Sequence, residues 1–354
     1  MNRIFFLSKK LPSSCGVARH HQFLISALGL VGTVVDISNS GDATESQSLY
    51  NCFKSVAKLI QKRPQSGDVL FVELAGRFLC QFYTAIFALL FLRRITVICY
   101  LHDVPSVVGN ARLFREFDRR YFRWVTRLIF PGLNLESLLL SRSVVLTTNE
   151  HAKLFLEQNY GIRCVVLPLV YADLSVVSKA DTCFIPGPVN VDDLTFLLPS
   201  IQRGLPSFKV NVGFIVGDAE KITLLQSAFS TVTFRGFLDD HELRQEYLLA
   251  KVIVRYRKGD SVSNTMASSG PVVFGASAGC FVVTNDARGS ADYFRAGAGA
   301  IFAEPAEDLV DLLAANVMCP RRLVNSLDRN REYYSANHTV SSALVRLRTI
   351  LNGI

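Results

Sequence analysis

The sequence lacks the features that would assign it to a specialised structural class. None of its eight cysteines forms a Cys-x-x-Cys pair, and most of them lie inside apolar runs, as Cys80, Cys99, Cys164 and Cys280 do. Reduced cysteine in that setting behaves as a small hydrophobic residue, so neither a zinc site nor a disulfide framework is indicated. We expect a protein of a reducing compartment, the cytoplasm.

Long hydrophobic runs are also scarce. The longest uncharged run, FLCQFYTAIFALLFL at residues 78–92, has 15 residues, fewer than the roughly 20 that a membrane-spanning helix requires. It predicts a covered helix between two strands, with shallow membrane contact as the alternative. The opening RIFFLS is too short for the apolar region of a signal peptide.

Charge is sparse and unevenly shared. Charged residues make up 19% of the 354 residues and hydrophobic residues 49%, which is typical of a folded chain long enough for two domains. The net charge is +8; residues 1–172 hold 20 Lys/Arg and 11 Asp/Glu, and the remainder holds 18 and 19. The excess in the first half predicts an anionic partner there: a membrane, a polyanion or a phosphorylated substrate.

Short apolar runs alternate with helical patterns, which predicts an α/β fold with parallel sheets. The predicted strands of a first sheet are RIFFLS, GTVVDIS, DVLFVEL, ITVICYLHD, SVVLTTN and CVVLPLV, and those of a second are TCFIPG, FKVNVGFIVGD, STVTFRGF, KVIVRYR and CFVVTND. With a linker near residues 172–182, they predict two doubly wound domains, residues 1–172 and 183–335, facing a cleft. We expect residues 336–354 to form a helix that returns to the first domain, and ligands to bind at the carboxyl ends of the strands.

Two segments of the first domain carry candidate site residues. The loop LPSSCGVARHHQFL follows the first strand and opens a helix at Gly16. His21 shares a helical stripe with apolar residues and is interpreted as a histidine at the edge of the core, whereas Arg19 and His20 lie off that stripe and are candidates for ligand contact.

The strand ITVICYLHD ends in His102 and Asp103, at the edge of an open α/β sheet where catalytic groups collect. A histidine there could act as a general base or donate a hydrogen bond to a hydroxyl or phosphate of a substrate. A structural histidine beside a turn is the alternative interpretation.

In the second domain the run MASSGPVVFGASAGCFVVTND places Ser268, Ser269 and Gly270 at the start of an apolar helix. Small residues let backbone N–H groups and a helix N-terminus face an anion, so this segment predicts a phosphate site.

Taken in order, these segments resemble the GT-B-fold nucleotide-sugar glycosyltransferases of glycosyltransferase family 4. The resemblance rests on a colinear series: KKLPSSCGVARHHQFL, VICYLHD, SVVLTTNEHAKLFLEQNYGIRCVVLPLVYADL, VGD, TFRGFLDDHELRQEYLLAKVIV and MASSGPVVFGASAGCFVVTNDARGSADYF. It implies Rossmann-like domains, a nucleotide-sugar donor in the C-terminal domain, an acceptor in the N-terminal one, retention of anomeric configuration and no metal or other cofactor. The absence of an Asp-x-Asp triplet agrees with the absence of a metal.

The resemblance also carries over to individual residues. His102 matches the family's histidine near the transferred sugar, and Ser269 and Gly270 match the loop whose amides hold the donor diphosphate. The sequence departs from the family where two glutamates are expected, since Met266 and Phe274 stand there. Neither side chain can accept a hydrogen bond as a carboxylate does.

The Arg and Lys that neutralise the diphosphate in the family, expected after FIPGPV, are also absent, and a basic strand end offers a replacement for them. Arg255, Arg257 and Lys258 end the strand KVIVRYR and begin the loop after it, and the two arginines point to one face of a strand. Guanidinium groups there could pair with phosphate and stabilise charge on a leaving diphosphate. A solvated strand end is the alternative interpretation, and Asp260 is a candidate for the lost carboxylate.

The segment ARLFREFDRRYFRWVTRLIF predicts a helix with a basic and an aromatic face. Its arginines fall on one face: Arg112, Arg115, Arg119, Arg120, Arg123 and Arg127. Two interpretations stay open, a surface helix packed on the core and a helix at an anionic bilayer surface. The sequence has no zinc-finger spacing, RNP-type motif or basic tail, which argues against nucleic acid as the partner.

These observations predict a cytoplasmic glycosyltransferase, peripheral on the inner face of the cell membrane through residues 112–127. We expect it to move a sugar from a nucleotide sugar to a glycan or lipid-linked acceptor in polysaccharide or glycoconjugate synthesis. Donor contacts are assigned to Arg255, Arg257, Lys258 and residues 268–270, and acceptor-side contacts to Gly16, Arg19, His20 and Asp103, with His102 and Arg255 as the catalytic residues. The alternatives are a catalytically silent GT-B protein that binds a ligand or partner enzyme, and a different reaction on nucleotide sugars such as epimerisation.

Overall fold

The computed structural model describes residues 3–10, 16–40, 45–74, 79–92, 94–102, 135–171, 178–256, 270–285, 297, 299–301 and 306–353. These residues divide into two compact units. Unit 1 contains the described residues up to 170 together with residues 340–353, and unit 2 contains residues 171–339 as far as they are described.

The strands are β1 Arg3–Leu7, β2 Lys9–Lys10, β3 Thr33–Asp36, β4 Asn39–Ser40, β5 Val69–Leu74, β6 Thr96–Leu101, β7 Val144–Thr147, β8 Cys164–Val166, β9 Ala180–Ile185, β10 Val189–Asn190, β11 Lys209–Val212, β12 Ile215–Val216, β13 Val232–Phe234, β14 Ala250–Arg255, β15 Phe281–Thr284 and β16 Ala300–Ile301. The helices are α1 Gly16–Gly29, α2 Glu45–Gln61, α3 Leu79–Phe91, α4 Leu135–Arg142, α5 Glu150–Tyr160, α6 Val191–Gly204, α7 Ala219–Ala228, α8 Asp240–Leu249, α9 Gly270–Ser277, α10 Ala306–Val317, α11 Pro320–Asn337 and α12 Val340–Asn352.

Unit 1 is built on a six-stranded sheet in the order β3-β1-β5-β6-β7-β8. Every pairing in it is parallel, and its strands are the six predicted from apolar runs. One face of the sheet packs against α2, α3, α4 and α5, and the other against α1 and α12. Because both faces are covered, the central strand β5 is buried along its whole length, as expected for a parallel sheet.

Unit 2 has a second six-stranded parallel sheet in the order β13-β11-β9-β14-β15-β16. Five of its strands are the predicted ones, and the two-residue strand β16 adds the sixth at an edge. Local signals agree with the helices between them: Asp239 and Glu242 form a capping box at the start of α8, which satisfies two backbone N–H groups that the helix leaves without partners. The prediction of two doubly wound α/β units is confirmed.

The uncharged run at residues 78–92 contains α3, between β5 and β6 as predicted. The helix buries Phe82, Ala85, Ile86 and Ala88 against the sheet. Within the described ranges, no helix is both long and apolar enough to cross a membrane. The predicted basic helix at residues 112–127 lies outside the described residues.

Candidate functional site

The carboxyl ends of the central strands of unit 1 bring together a buried carboxylate and three imidazoles. Glu73 is the fifth residue of the six-residue β5, and His102 follows directly after its neighbour β6. His20 and His21 lie on α1, the helix after β1. Because parallel strands end at the same edge of a sheet, Glu73 meets histidines that are 29 to 53 residues away from it in the chain.

All three imidazoles approach the Glu73 carboxylate through Nε2. The Nε2 atom of His102 lies 3.1 Å from Oε1, and that of His21 lies 3.0 Å from Oε2. The Nε2 atom of His20 lies 3.8 Å from Oε1. A carboxylate can accept up to four hydrogen bonds, so it can serve the neighbouring rings together. We call these four residues the Glu73 cluster.

The backbone of Val170 holds the His20 ring on the side away from Glu73. The Nδ1 atom of His20 lies 2.7 Å from the Val170 N–H nitrogen and 3.2 Å from the Val170 carbonyl oxygen. It accepts from the N–H when unprotonated and donates to the carbonyl when protonated. Both tautomers of the neutral imidazole therefore have a backbone partner at Nδ1.

Surrounding side chains restrict the other two rings. The Nδ1 atom of His21 lies 3.4 Å from the Ser8 hydroxyl, and its ring packs edge-on against Phe6. Tyr100 contacts the ring of His102 at 4.8 Å between centroids and donates its hydroxyl to the Leu167 carbonyl at 2.8 Å. These contacts hold the imidazoles in one orientation toward the carboxylate.

Burial and charge shift the pKa values of His20, His21 and Glu73. Burial lowers the pKa of His20 to about 3, with a further contribution from His102, and it also lowers the pKa of His21. Burial alone would raise the pKa of Glu73, but the neighbouring rings, His102 first, outweigh it and lower this pKa to about 2. The carboxylate therefore stays ionised, and His20 stays neutral, at physiological pH.

These shifts predict that the fold loses stability in mild acid. The unfolded chain protonates His20 near pH 6.5 and the folded chain only near pH 3, so stability present above pH 6.5 is lost as the pH falls toward 3. His21 shifts in the same direction, and Glu73 adds its own loss between about pH 4.5 and 2. We expect a loss of about 2 kcal/mol from His20 between pH 6.5 and pH 5, measured as urea unfolding midpoints by circular dichroism.

A glutamine at position 20 can still accept the Val170 N–H but does not titrate. His20→Gln should therefore show a shallower pH dependence than the wild type, whereas His241→Gln, on the exposed surface of α8, should leave the dependence unchanged. Equal unfolding midpoints of the wild type at pH 7 and pH 5 would contradict the assigned protonation states.

The structure places the predicted residues of unit 1 as follows. His102 is in the Glu73 cluster. The expectation that His20 is accessible for ligand contact is corrected, because the ring is fully buried between the Glu73 carboxylate and Val170. Gly16 is the first residue of α1, while Asp103 and the side chain of Arg19 lie outside the described part of the chain.

Glu73 was missed by the sequence reasoning. The signal was present, because an acidic residue near the end of the otherwise apolar run VLFVEL needs a polar partner when the strand is buried. The contact of His21 with Glu73 was also not anticipated, although its partial burial agrees with the predicted stripe.

The chemistry of His20, Glu73 and His102 is also that of a metal site, since their ligand atoms lie within 4.8 Å of one another. Metal binding through Nε2 of His20 would require the proton on Nδ1. The Val170 carbonyl, 3.2 Å from Nδ1, can accept that proton, whereas the Val170 N–H at 2.7 Å favours the other tautomer. The backbone contacts of Nδ1 are therefore compatible both with a hydrogen-bonded cluster and with a metal centre.

At the corresponding edge of unit 2, Arg255 ends the central strand β14. Its Nη1 atom donates to the carbonyls of Pro186 and Pro188 at 3.2 and 3.1 Å, which holds the guanidinium beside the loop after β9. The other predicted donor residues, Arg257, Lys258, Ser268 and Ser269, lie outside the described residues. Of the predicted phosphate loop, the structure describes only Gly270, at the start of α9.

The loop after β9 and the loop after β11 pack backbone against backbone at this edge of the sheet. A Cβ atom at Gly187 would lie 2.5 Å from the carbonyl oxygen of Phe214, and one at Gly213 would lie 2.9 Å from the backbone nitrogen of Gly187. Both distances are shorter than any real Cβ contact, so only glycine fits at these positions. The loop after β9, whose carbonyls accept from the Arg255 guanidinium, therefore packs closely against the loop after β11.

Two aromatic rings are exposed at the same edge. Phe214 follows β11 and is 44% exposed, and Phe237 follows β13 and is 68% exposed. Their ring centroids are 6.2 Å apart in an edge-on arrangement. Exposed aromatic faces are surfaces on which flat aromatic ligands stack.

Phe274 occupies the position where the resemblance implies a glutamate. Its ring is buried on α9 and packs edge-on against Tyr247 at 4.7 Å and against Tyr171 at 5.9 Å. The position is occupied here by an apolar ring in an aromatic cluster, so it offers no carboxylate to a ligand.

Comparisons with known proteins agree with this architecture. Residues 197–351 match a family model described as glycosyl transferase-like, and no curated protein sequence matches the chain. Sucrose-phosphate synthase from Thermosynechococcus elongatus is similar in structure, with a TM-score of 0.68 at 13% identity over 100% of this chain and 99% of that one. HepE of Anabaena, in complex with UDP and glucose, has a TM-score of 0.66 at 13% identity over 100% of both chains.

WaaG, a glycosyltransferase involved in lipopolysaccharide biosynthesis, has a TM-score of 0.59 at 15% identity over 99% of this chain and 100% of its own. Identities this low establish the fold alone, and that fold is GT-B. Together with the family match over residues 197–351, it supports a glycosyltransferase.

Proposed function

We propose that the protein transfers a sugar from a nucleotide-sugar donor, bound at the carboxyl edge of the unit 2 sheet, to an acceptor bound by unit 1. The observation that carries this proposal is the glycosyl transferase-like match over residues 197–351, which includes the strand that ends in Arg255. We assign the acceptor to the glycan or lipid-linked class because WaaG acts in lipopolysaccharide biosynthesis.

In unit 2, the Arg255 guanidinium binds the donor diphosphate together with Arg257, Lys258 and the amides of residues 268–270. A planar guanidinium matches phosphate oxygens in a bidentate contact, and its charge stabilises the leaving diphosphate. The exposed rings of Phe214 and Phe237 flank the nucleobase, for which uracil is the first candidate because HepE binds UDP and UDP-glucose.

In unit 1, the His102 imidazole contacts the transferred sugar, and the ionised Glu73 carboxylate fixes its orientation. His20 contributes through Glu73 rather than by touching a ligand, since it is fully buried. Gly16, Arg19 and Asp103 complete the acceptor side. The narrower assignment to glycosyltransferase family 4, with retention of configuration and no metal, belongs to this proposal. So does a cytoplasmic location, with residues 112–127 at the inner face of the membrane.

The proposal is tested by incubating purified protein with UDP-, GDP-, ADP- and TDP-sugars and measuring release of the nucleoside diphosphate. We expect slow hydrolysis of one donor without acceptor, at least tenfold above background, and no change when EDTA is added. The anomeric configuration of the released sugar is read by proton NMR. Absence of both turnover and nucleotide binding across the panel would contradict the proposal.

One observation favours a second candidate, a catalytically silent GT-B protein that binds a ligand or partner enzyme. Phe274 packs in an aromatic cluster where the resemblance implies one of the two glutamates of the donor site. Binding of UDP without hydrolysis or transfer of any donor in the same panel would support this candidate over the enzyme.

A further inference from the structure

Two segments of unit 1 contain no acidic residue. Neither residues 50–67, which cover most of α2 and the loop after it, nor residues 74–102, which include α3 and β6, contain an Asp or Glu. Segments of this length normally carry both signs of charge on their solvent side. Apart from Glu45 at the first position of α2, the outer layer formed by α2 and α3 carries only positive charge.

The exposed side of α2 carries large apolar side chains. Helix α2 buries Ser55 and Leu59 completely, whereas Tyr50 is 66% exposed, Phe53 72% and Ile60 50%. At 100° per residue, Phe53 lies on the side of the helix opposite Ser55. Large apolar side chains of α2 are therefore exposed to solvent, while the opposite side of the helix packs against the core.

Basic side chains surround these apolar ones. Lys54, Lys62 and Arg63 are exposed along α2 and just beyond its end. The C-terminal end of the helix is held to the sheet because Arg3 donates to the carbonyls of Lys62 and Arg63, both at 2.8 Å, and pairs with Asp68 at 2.6 Å. The basic end of α2 is therefore presented by a fixed part of the fold.

A cavity of about 360 Å³ joins this region to the end of α3. Its lining includes Pro64, three residues after α2, together with Leu90, Phe91 and Arg94 at the end of α3. Phe91 is 63% exposed, and Arg94 is exposed. The same combination of an outward aromatic ring and a cation thus recurs beside the cavity. We call Tyr50, Phe53, Lys54, Ile60, Lys62, Arg63, Phe91 and Arg94 the α2–α3 face.

We propose that the α2–α3 face docks on an anionic lipid bilayer. The cations of this face attract the lipid phosphates, and the aromatic and aliphatic side chains between them insert at the level of the headgroups. A bilayer accounts for the basic side chains and the outward Phe53 and Phe91 rings together, whereas an acidic protein partner would leave binding to vesicles unexplained. This surface does not depend on the donor site, so vesicle binding tests it without any glycosyl transfer.

The test is co-sedimentation of the full chain with phosphatidylcholine vesicles containing 30% phosphatidylglycerol. We expect binding at 50 mM salt, little binding to pure phosphatidylcholine vesicles, and a large loss at 500 mM salt. Because each basic residue near the surface contributes about fivefold to binding, Lys54→Glu/Lys62→Glu should weaken partitioning by at least about 25-fold. Phe53→Ser should weaken it by about tenfold.

The matched control carries the same kinds of change on unit 2. Leu224 is 63% exposed and Lys209 is exposed, and Leu224→Ser/Lys209→Glu should bind as the wild type does. Circular dichroism melting shows that each variant is folded. The proposal would be overturned if the wild-type protein did not bind anionic vesicles. It would also be overturned if the α2 variants kept full vesicle binding and only Arg119→Glu/Arg123→Glu lost it. Charge-dependent binding to a single-stranded oligonucleotide but not to vesicles would overturn it as well.

Discussion

Alanine in place of His102 is expected to slow glycosyl transfer about 1,000-fold, the middle of the range for removal of a positioned acid–base or hydrogen-bonding group. His102 lies in unit 1 and the proposed donor contacts lie in unit 2, so the dissociation constant for UDP should stay within twofold of the wild type. The measurement is kcat for transfer beside UDP binding by isothermal titration calorimetry.

A second substitution separates chemistry from packing. In His102→Gln the amide N–H₂ can still donate to Glu73, so the carboxylate keeps a partner, yet the side chain cannot exchange a proton near neutral pH. We expect this variant to melt close to the wild type and to remain at least about 100-fold slower. His241→Ala, on exposed α8, serves as the control. Activity near the wild-type level in His102→Gln would show that a hydrogen-bonding side chain suffices at this position and that no proton is exchanged there.

Removal of the Arg255 guanidinium should weaken UDP binding roughly 50-fold, since a charge-assisted hydrogen bond to phosphate contributes about 1.5–3 kcal/mol. Arg255→Lys keeps the charge without the planar fork, so it should fall between alanine and the wild type. Both are measured by isothermal titration calorimetry with UDP.

Arg255 also donates to the carbonyls of Pro186 and Pro188, so its loss could act through that loop. Thermal melting of Arg255→Ala in the absence of nucleotide reports this effect directly. Arg203→Ala, on the exposed side of α6, should change neither melting nor UDP affinity. Wild-type UDP affinity in Arg255→Ala would remove Arg255 from the donor site while leaving the proposed enzyme class intact.

Both central sheets were predictable because each strand is a short apolar run between helical segments, and burial on both faces demands that pattern. The edge strand β16 was not, since the two residues Ala300 and Ile301 are too few to display a periodicity. The position of His102 was predictable because it directly follows the predicted strand β6, and the residue after a parallel strand lies at the edge of the sheet.

The Glu73 cluster shows where sequence reasoning stops. Glu73 and His20 are 53 residues apart, and only the pairing of β1 with β5 places α1 beside that carboxylate. The burial of His20 depends on the backbone N–H of Val170, 150 residues further along the chain. A helical stripe in the sequence predicts which side of a helix packs against apolar neighbours. It cannot predict a polar partner that comes from a distant part of the chain.

The return of α12 to unit 1 has a consequence for how the protein is made. Ala343, Leu347 and Ile350 complete the core on the α1 side of the first sheet, although all of unit 2 is translated between them and that sheet. During translation, unit 2 can therefore fold before α12 has been synthesised. Until then the α1 side of the first sheet exposes apolar side chains, and we expect chaperones to bind at that surface.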